Sequence, residues 1–479
     1  MTSLYSRINQ SPNLRWFIFA VVLLGGFMST LDSSIVNVAL PTISTKFKVD
    51  LSTIQWIVTA YLLAISSLLP AFGRLSDLFG RKKIFSTGFL LFTIGSALCG
   101  LSGNIWFLVG MRVLQAVGAS MLMSNSQAII VSCFPFEERG RAMGMTGTVI
   151  ALGALTGPAL GGFLVSWTGW RSIFYVNVPI GIFAYLVARI ILPADTEKKE
   201  VAFDYKGSAL FALGLIGLLY AINNGQDFGW TSLSILISFV SGIVLLGVFF
   251  YAELRVEDPL IDFSIYRNRP FMIGNLSAFL NFFANFANTM LMPFYLQQVL
   301  NYSTSMVGLM MAIFPVCMAI LAPISGYASD KMGPVALTTG GLFINTGGFL
   351  YLLTVTTHST LWQIIPGQFL LGVGTALFQS PNNSSVMSAV RRDQVGIAGG
   401  LNALVRNLGM ILGTSLSVLL FENRQTALLT GIFQPTEYQT ASAFVSAYHI
   451  VMFVAAGIML IAALISLNRR GYALKENHG

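Results

Sequence analysis

The chain has 479 residues, of which 55% are hydrophobic and only 10% charged, with a formal net charge of +8. A soluble domain carries about a quarter charged residues, so this composition excludes a globular enzyme with an apolar tail and predicts an all-α integral membrane protein. The positive balance does not point to nucleic acid, because Lys and Arg cluster in short loops between apolar runs, as membrane orientation requires.

A bilayer crossing needs about 20 apolar residues. Windows of that length predict fourteen transmembrane helices, starting near Trp16, Leu51, Ile84, Ile105, Ala142, Ile173, Gly207, Leu233, Phe271, Met306, Val335, Leu361, Ile397 and Phe444. With the N-terminus inside, 21 Lys and Arg residues fall in cytoplasmic segments and 4 outside. Both termini are therefore expected in the cytoplasm. Arg7 and Arg15 precede an apolar stretch that imitates a signal peptide, but it is too long and lacks a small-x-small cleavage site before Asp32. It is read as the first span.

Asp32 interrupts that first span. A carboxylate in hydrocarbon costs several kcal/mol, and such residues usually mark an ion, proton or substrate path. Asp32 is thus the first candidate for proton coupling, and Asn37 follows on the same span. Span two ends in Gly73-Arg-Leu-Ser-Asp77-Leu-Phe-Gly80-Arg81. There Gly73 lets a neighbouring helix approach, Asp77 suits a helix N-terminus and Arg81 can hold that carboxylate, which together make a cytoplasmic latch. A simple positive-inside stop signal explains the basic residues but not Gly73 or Asp77.

Span four carries Arg112 and Gln115. At 1.5 Å per residue, Arg112 lies about 10 Å from its outer end and Asp32 about 25 Å from the inner end of span one, so both fall in the outer half. Either they meet, directly or through water, or Arg112 snorkels to the surface. In span five, Gly153, Gly157 and Gly161 recur every four residues around Pro158, giving a flat face for tight helix packing with a kink. Span nine carries Asn281, Asn285 and Asn288 as one stripe beside Phe286. Such amides either glue helices together or form an aromatic, hydrogen-bonding cavity wall. Arg406 in span thirteen falls near the midplane, with helix carbonyls, a solute or Asp32 as its alternatives. Asn37, Gln115, Asn281, Phe286, Asn285, Asn288 and Arg406 are taken as the candidate substrate cavity.

The two halves of the chain repeat. Pro70-Ala-Phe-Gly73 through Asp77 matches Pro323-Ile-Ser-Gly326 through Asp330 at an offset of 253, and Val117-Gly118 matches Val373-Gly374 at 256. Gly153 and Gly157 recur as Gly409 and Gly413, and Asp32 corresponds to neutral Asn288, again at 256. This predicts a duplicated six-span unit, with bundles at 14–192 and 270–468. Linkers with two inserted spans fill 193–269, and 469–479 forms a cytoplasmic tail. In the second copy Pro334 stands where Arg81 stands in the first, so the Asp330 latch is expected to be weaker. Cys99, Cys133 and Cys317 are expected to be reduced and structural, and the three histidines lack metal-ligand spacing.

Together these features resemble the major facilitator superfamily. Leu31-Asp32-Ser-Ser-Ile35-Val-Asn37-Val-Ala-Leu-Pro41 and fourteen spans resemble its drug:proton antiporter family with fourteen helices. The resemblance implies two six-helix bundles around a cavity that opens alternately to each side. It also implies that Asp32 is the proton site, that Arg112 tunes its protonation, that Asp77 and Arg81 latch the cytoplasmic face, and that Gly157-Pro158 serves antiport. Ser34 departs from the family's more usual threonine. The expected protein is a monomeric, proton-driven exporter of amphipathic drugs in a bacterial plasma membrane, with no cofactor, metal or catalytic residues. The alternatives are an exporter of one metabolite, antibiotic or lipid-like solute, and a non-transporting membrane sensor.

Overall fold

The computed structural model describes residues 14–134, 136–192, 204–256, 263–391 and 395–468. Some side chains on these helices, Asp77 and Asp330 among them, lie outside the described set, as does the tail 469–479. The chain folds into long helices, which we number α1 Leu14–Phe47, α2 Trp56–Phe79, α3 Arg81–Gly100, α4 Ile105–Cys133, α5 Phe136–Thr168, α6 Asn177–Ile191 and α7 Tyr205–Phe228. They continue as α8 Leu233–Glu253, α9 Arg269–Phe294, α10 Thr304–Met332, α11 Pro334–Tyr351, α12 Leu361–Ser388, α13 Val395–Leu429 and α14 Glu437–Leu467. Twelve helices among the described residues are long and apolar enough to cross a membrane. The helix α9 falls short because its asparagines dilute it, and part of α5 lies outside the described side chains. The arrangement is compatible with the fourteen predicted spans.

Helix boundaries follow local chemistry. The Asn104 side chain accepts from the Phe107 N–H and so caps α4. Thr436 and Gln439 form a capping box that starts α14, using the reciprocal bonds that satisfy two orphan donors. That start precedes the predicted Phe444 by two turns, because the cap and the polar first turn lie outside any apolar window. Likewise α5 begins at Phe136 rather than near Ala142.

The packing repeats between the halves. In the first, α1 packs on α4, α5 and α6, α2 on α4, and α3 on α4 and α6. In the second, α9 packs on α12, α13 and α14, α10 on α12, and α11 on α12 and α14. Matched glycines make these crossings. A Cβ added at Gly118 would sit 2.7 Å from the Gly88 carbonyl oxygen, and one at Gly374 would sit 2.5 Å from that of Gly341. Two six-helix bundles therefore share one plan, while α7 touches both through α2 and α13 and α8 packs on α7.

The bundles meet at the end predicted to be extracellular. There α5 crosses α10, where a Cβ at Gly162 would lie 2.5 Å from the Thr304 carbonyl oxygen. Ser166 and Ser305 share a 2.7 Å hydrogen bond, Gln297 donates to the Val38 carbonyl at 3.2 Å, and the Ser52 N–H donates to Glu422 at 2.7 Å. Toward the opposite end, a Cβ at Gly73 would meet nothing within 4 Å. The expectation that Gly73 seats a close neighbour is therefore corrected for this arrangement, since the seam joining the bundles lies at the other end.

Candidate functional site

The site is built on the α3–α4 crossing. At Gly95 an added Cβ would lie 2.7 Å from the Gln115 backbone, and only a hydrogen at this position admits α4 so close. This approach brings Gln115 beside Ser96, to whose hydroxyl it donates at 2.7 Å. One turn earlier on α4 stands Arg112, which is 1% exposed. Snorkelling is thereby excluded.

Asp32 on α1 is fully buried and pairs with Arg112. One carboxylate oxygen accepts from an Arg112 guanidinium nitrogen. The other accepts from Gln115 Nε2 at 2.8 Å and from Asn177 Nδ2 at 3.0 Å. Arg112 also donates to the Gln115 side-chain oxygen at 2.6 Å and to the Ile57 carbonyl at 3.2 Å. Its Cζ lies 3.9 Å from the Tyr61 ring centroid, close enough for cation–π attraction. Two charges thus leave water paired with each other and held by further hydrogen bonds, the condition under which buried pairs persist. Removing one partner of such a pair costs about 3–5 kcal/mol. We expect Arg112→Leu to lower the thermal unfolding midpoint of detergent-purified protein clearly, and Gly110→Ala, which adds a methyl to open space on the same helix, to leave it unchanged.

The second bundle holds a neutral copy of this pair. Asn288 Nδ2 donates to Gln368 Oε1 at 3.2 Å, and Tyr448 donates to Asn288 Oδ1 at 3.0 Å. Gln368 is Arg112 plus 256, as Asn288 is Asp32 plus 256. Tyr448 on α14 takes the role that Asn177 plays from α6. Sequence reading assigned no role to Gln368, Tyr448, Ser96 or Tyr61. The constant offset was signal enough for Gln368, whereas the others required the helix crossings.

The remaining candidates divide. Gln115 joins the Asp32 network and is fully buried. Asn37 is buried and donates to the Ser33 carbonyl at 3.2 Å. In the asparagine stripe, Asn281 accepts from Asn345 of α11 at 3.1 Å and so binds two helices together, while Asn285 donates to the Asn281 carbonyl within α9 at 2.9 Å. Phe286 is half-buried. The glycines of α5 seat it on α1. A Cβ at Gly153 would lie 2.9 Å from the Phe27 carbonyl oxygen, one at Gly161 2.7 Å from Ile35, and one at Gly157 would overlap Ser34. The helix runs on through Pro158. Arg81 opens α3, and its proposed partner Asp77, like Asp330, has its side chain outside the described residues. Among the described residues no cluster of metal-binding side chains occurs, and the three cysteines are free.

The sequence model of the Major Facilitator Superfamily matches residues 22–414. The chain belongs to the Major Facilitator Superfamily. Its members are membrane transporters, not enzymes. Within the superfamily, the chain is 35% identical to the riboflavin transporter RibZ of Clostridioides difficile, over 95% of this chain and 97% of that one. It is 33% identical to the multidrug resistance protein Stp of Mycobacterium tuberculosis, over 81% of this chain and 73% of that one. A bacterial homologue of the human lysosomal transporter Spinster, solved inward-facing and unoccupied, superposes with a TM-score of 0.67 at 16% identity, covering 95% of this chain and 97% of that one. At that identity the superposition speaks for the fold.

Proposed function

We propose that this superfamily member is a proton-coupled antiporter that exports amphipathic small molecules, with Asp32 as the site that takes up and releases the proton. The observation that carries this reading is the asymmetry between the bundles. One pair of equivalent positions holds Asp32 and Arg112, and the other holds Asn288 and Gln368. A buried ion pair is costly where a neutral pair fits the same fold, so function is the reason to keep it. Protonation of Asp32 removes one buried charge and frees Arg112, Gln115 and Asn177 to rearrange. That change couples the proton to the angle at which α1 packs on α5 through Gly153, Gly157 and Gly161.

The seam at the outer end, through Gly162, Ser166, Gln297 and Glu422, gives this arrangement a closed extracellular side. Reorientation opens that seam and brings the cytoplasmic ends together, where Gly73 becomes the close-approach point and Asp77 with Arg81 the latch. Both termini face the cytoplasm in this account, and each monomer is a complete transporter in a bacterial plasma membrane.

Stp and the multidrug transporter protein MdtP of Bacillus subtilis, the latter 27% identical over 88% of this chain and 78% of that one, support a broad drug range by their names. The name of RibZ, at higher identity and coverage, supports a second reading in which one defined metabolite is carried. Everted vesicles with an imposed pH gradient separate the two. A multidrug pump accumulates several unrelated dyes, whereas a dedicated exporter accumulates none of them and responds to a single metabolite such as riboflavin. Absence of gradient-dependent flux for every solute would overturn both.

A further inference from the structure

Among the described residues, Arg406 is an embedded cation whose function the Asp32 network does not absorb. It lies on α13, half-buried, with its Nε atom fully buried and without a hydrogen-bond partner. No acidic side chain among the described residues bears on it. Asp32, one of its possible partners by sequence, is already engaged in the other bundle by Arg112, Gln115 and Asn177.

The surroundings extend the pattern. Just beyond Arg406, α13 lies directly against α9. A Cβ at Gly409 would lie 2.6 Å from the Phe279 carbonyl oxygen, and Gly413 packs on Phe283. On this helix pair, Asn407 Nδ2, Asn281 Nδ2 and Ser277 Oγ are also buried without partners. A buried, unmade hydrogen bond is costly, and more so when the donor is charged. The other embedded arginine, Arg112, bonds to Asp32, Gln115 and the Ile57 carbonyl, whereas the described residues bring no acid to Arg406, and other polar atoms are left over on the same helix pair, the Asn275 and Asn285 side-chain oxygens among them.

From this geometry we infer that the exported solute is an organic anion whose carboxylate or phosphate docks on Arg406 between α9 and α13. The inference deepens the transport reading above and rests on it. Guanidinium is the side chain suited to this task, because its planar fork meets a two-oxygen anion with parallel hydrogen bonds. The half-buried Phe282, Phe283 and Phe286 offer an apolar wall for the body of the solute. Docking also supplies Arg406 with a counter-charge, as Asp32 supplies one to Arg112.

The test uses the full-length protein in lipid nanodiscs and two dyes that share a xanthene body. Fluorescein carries a free carboxylate, and rhodamine 6G is an esterified cation. Equilibrium binding is read by fluorescence anisotropy for wild type, Arg406→Gln and Arg406→Lys, each first shown to be monodisperse. Wild type should bind fluorescein at least about tenfold more tightly than rhodamine 6G. Arg406→Gln should weaken fluorescein about ten- to hundredfold, the range expected for one charge-assisted hydrogen-bonded pair, and leave rhodamine 6G within about twofold. Arg406→Lys, which keeps the charge and loses the fork, should fall between. Equal wild-type affinity for the two dyes, no fluorescein binding, or unchanged fluorescein binding in Arg406→Gln would overturn the inference. Because no gradient is present, fluorescein binding through Arg406 without gradient-driven flux would refute the antiport reading alone. Gradient-driven flux of rhodamine 6G without fluorescein binding would refute this one alone.

Discussion

Asp32→Asn is expected to abolish gradient-driven accumulation while leaving downhill solute exchange in place. One proton moving through 100 mV supplies about 2.3 kcal/mol, which for a neutral solute exchanged one-for-one sustains a concentration ratio of about fiftyfold. Without a titrating carboxylate that ratio should fall to one. The substitution is close to isosteric, and its amide oxygen can still accept from Gln115 and Asn177. Arg112 loses its counter-charge but keeps the Gln115 oxygen, the Ile57 carbonyl and the Tyr61 face. The variant should therefore remain folded, with a lowered unfolding temperature. Counterflow of labelled solute at zero gradient is the control that separates an uncoupled transporter from a damaged one. Asn288→Leu, at the equivalent position of the second bundle, should leave the dependence on the gradient intact.

The second large effect is expected at the seam between the bundles. At Gly162 an added Cβ would lie 2.5 Å from the Thr304 carbonyl oxygen and 3.0 Å from the Gly308 Cα atom. These are backbone atoms of another helix and cannot rotate away. Gly162→Ala must therefore push α5 and α10 apart, and with them the outer ends of the two bundles. The molecule can relieve the contact by opening that end, so the equilibrium should shift toward the outward-open arrangement. We expect transport to fall at least about tenfold, an effect of about 1.4 kcal/mol or more on the balance of states. A cysteine placed at Gln297, which bonds across the seam to Val38, should react faster with a membrane-impermeant thiol reagent by a similar factor. Gly110→Ala is the matched control, because its methyl meets nothing within 4 Å. Unchanged labelling in Gly162→Ala would mean that the α5–α10 crossing does not hold the outer end shut.

Much of this architecture was legible in the sequence because the bilayer imposes a simple rule. Apolar runs of helical length must be helices, and the predicted starts at Ile105, Leu233 and Leu361 are the first residues of α4, α8 and α12. Boundaries failed where a helix leaves the apolar layer, as at Glu437, because a capping box carries no hydropathy signal. The repeat was legible through glycines, which mark backbone contact and so register the same crossings twice. Counting rise per residue along helices of opposite direction put Asp32 and Arg112 at similar depth, but left open whether they meet. What the sequence did not carry was angular position around each helix. Depth alone does not tell that Asn177 and Gln115 converge on one carboxylate oxygen. For the same reason Gly73 was read as a contact point, although in this arrangement the contact lies at the other end of the bundles.

The asymmetry of the two bundles gives the mechanism its direction. Both have the same six pairings, and in the proposed account only the first carries a carboxylate whose protonation alters its packing. The titrating group and the unpartnered Arg406 lie in different bundles, and a solute between them can sense both. On the proposed reading, the fold separates energy input from solute recognition.

Solute-induced proton movement in proteoliposomes tests the account most directly. Purified protein is reconstituted with a pH-sensitive dye in the lumen, and a transported solute is added with no gradient imposed. Wild type should move protons opposite to the solute in a fixed ratio, and Asp32→Asn should move the solute with no proton signal. A proton signal of wild-type size in Asp32→Asn, or solute flux without proton movement in wild type, would contradict Asp32 as the coupling site.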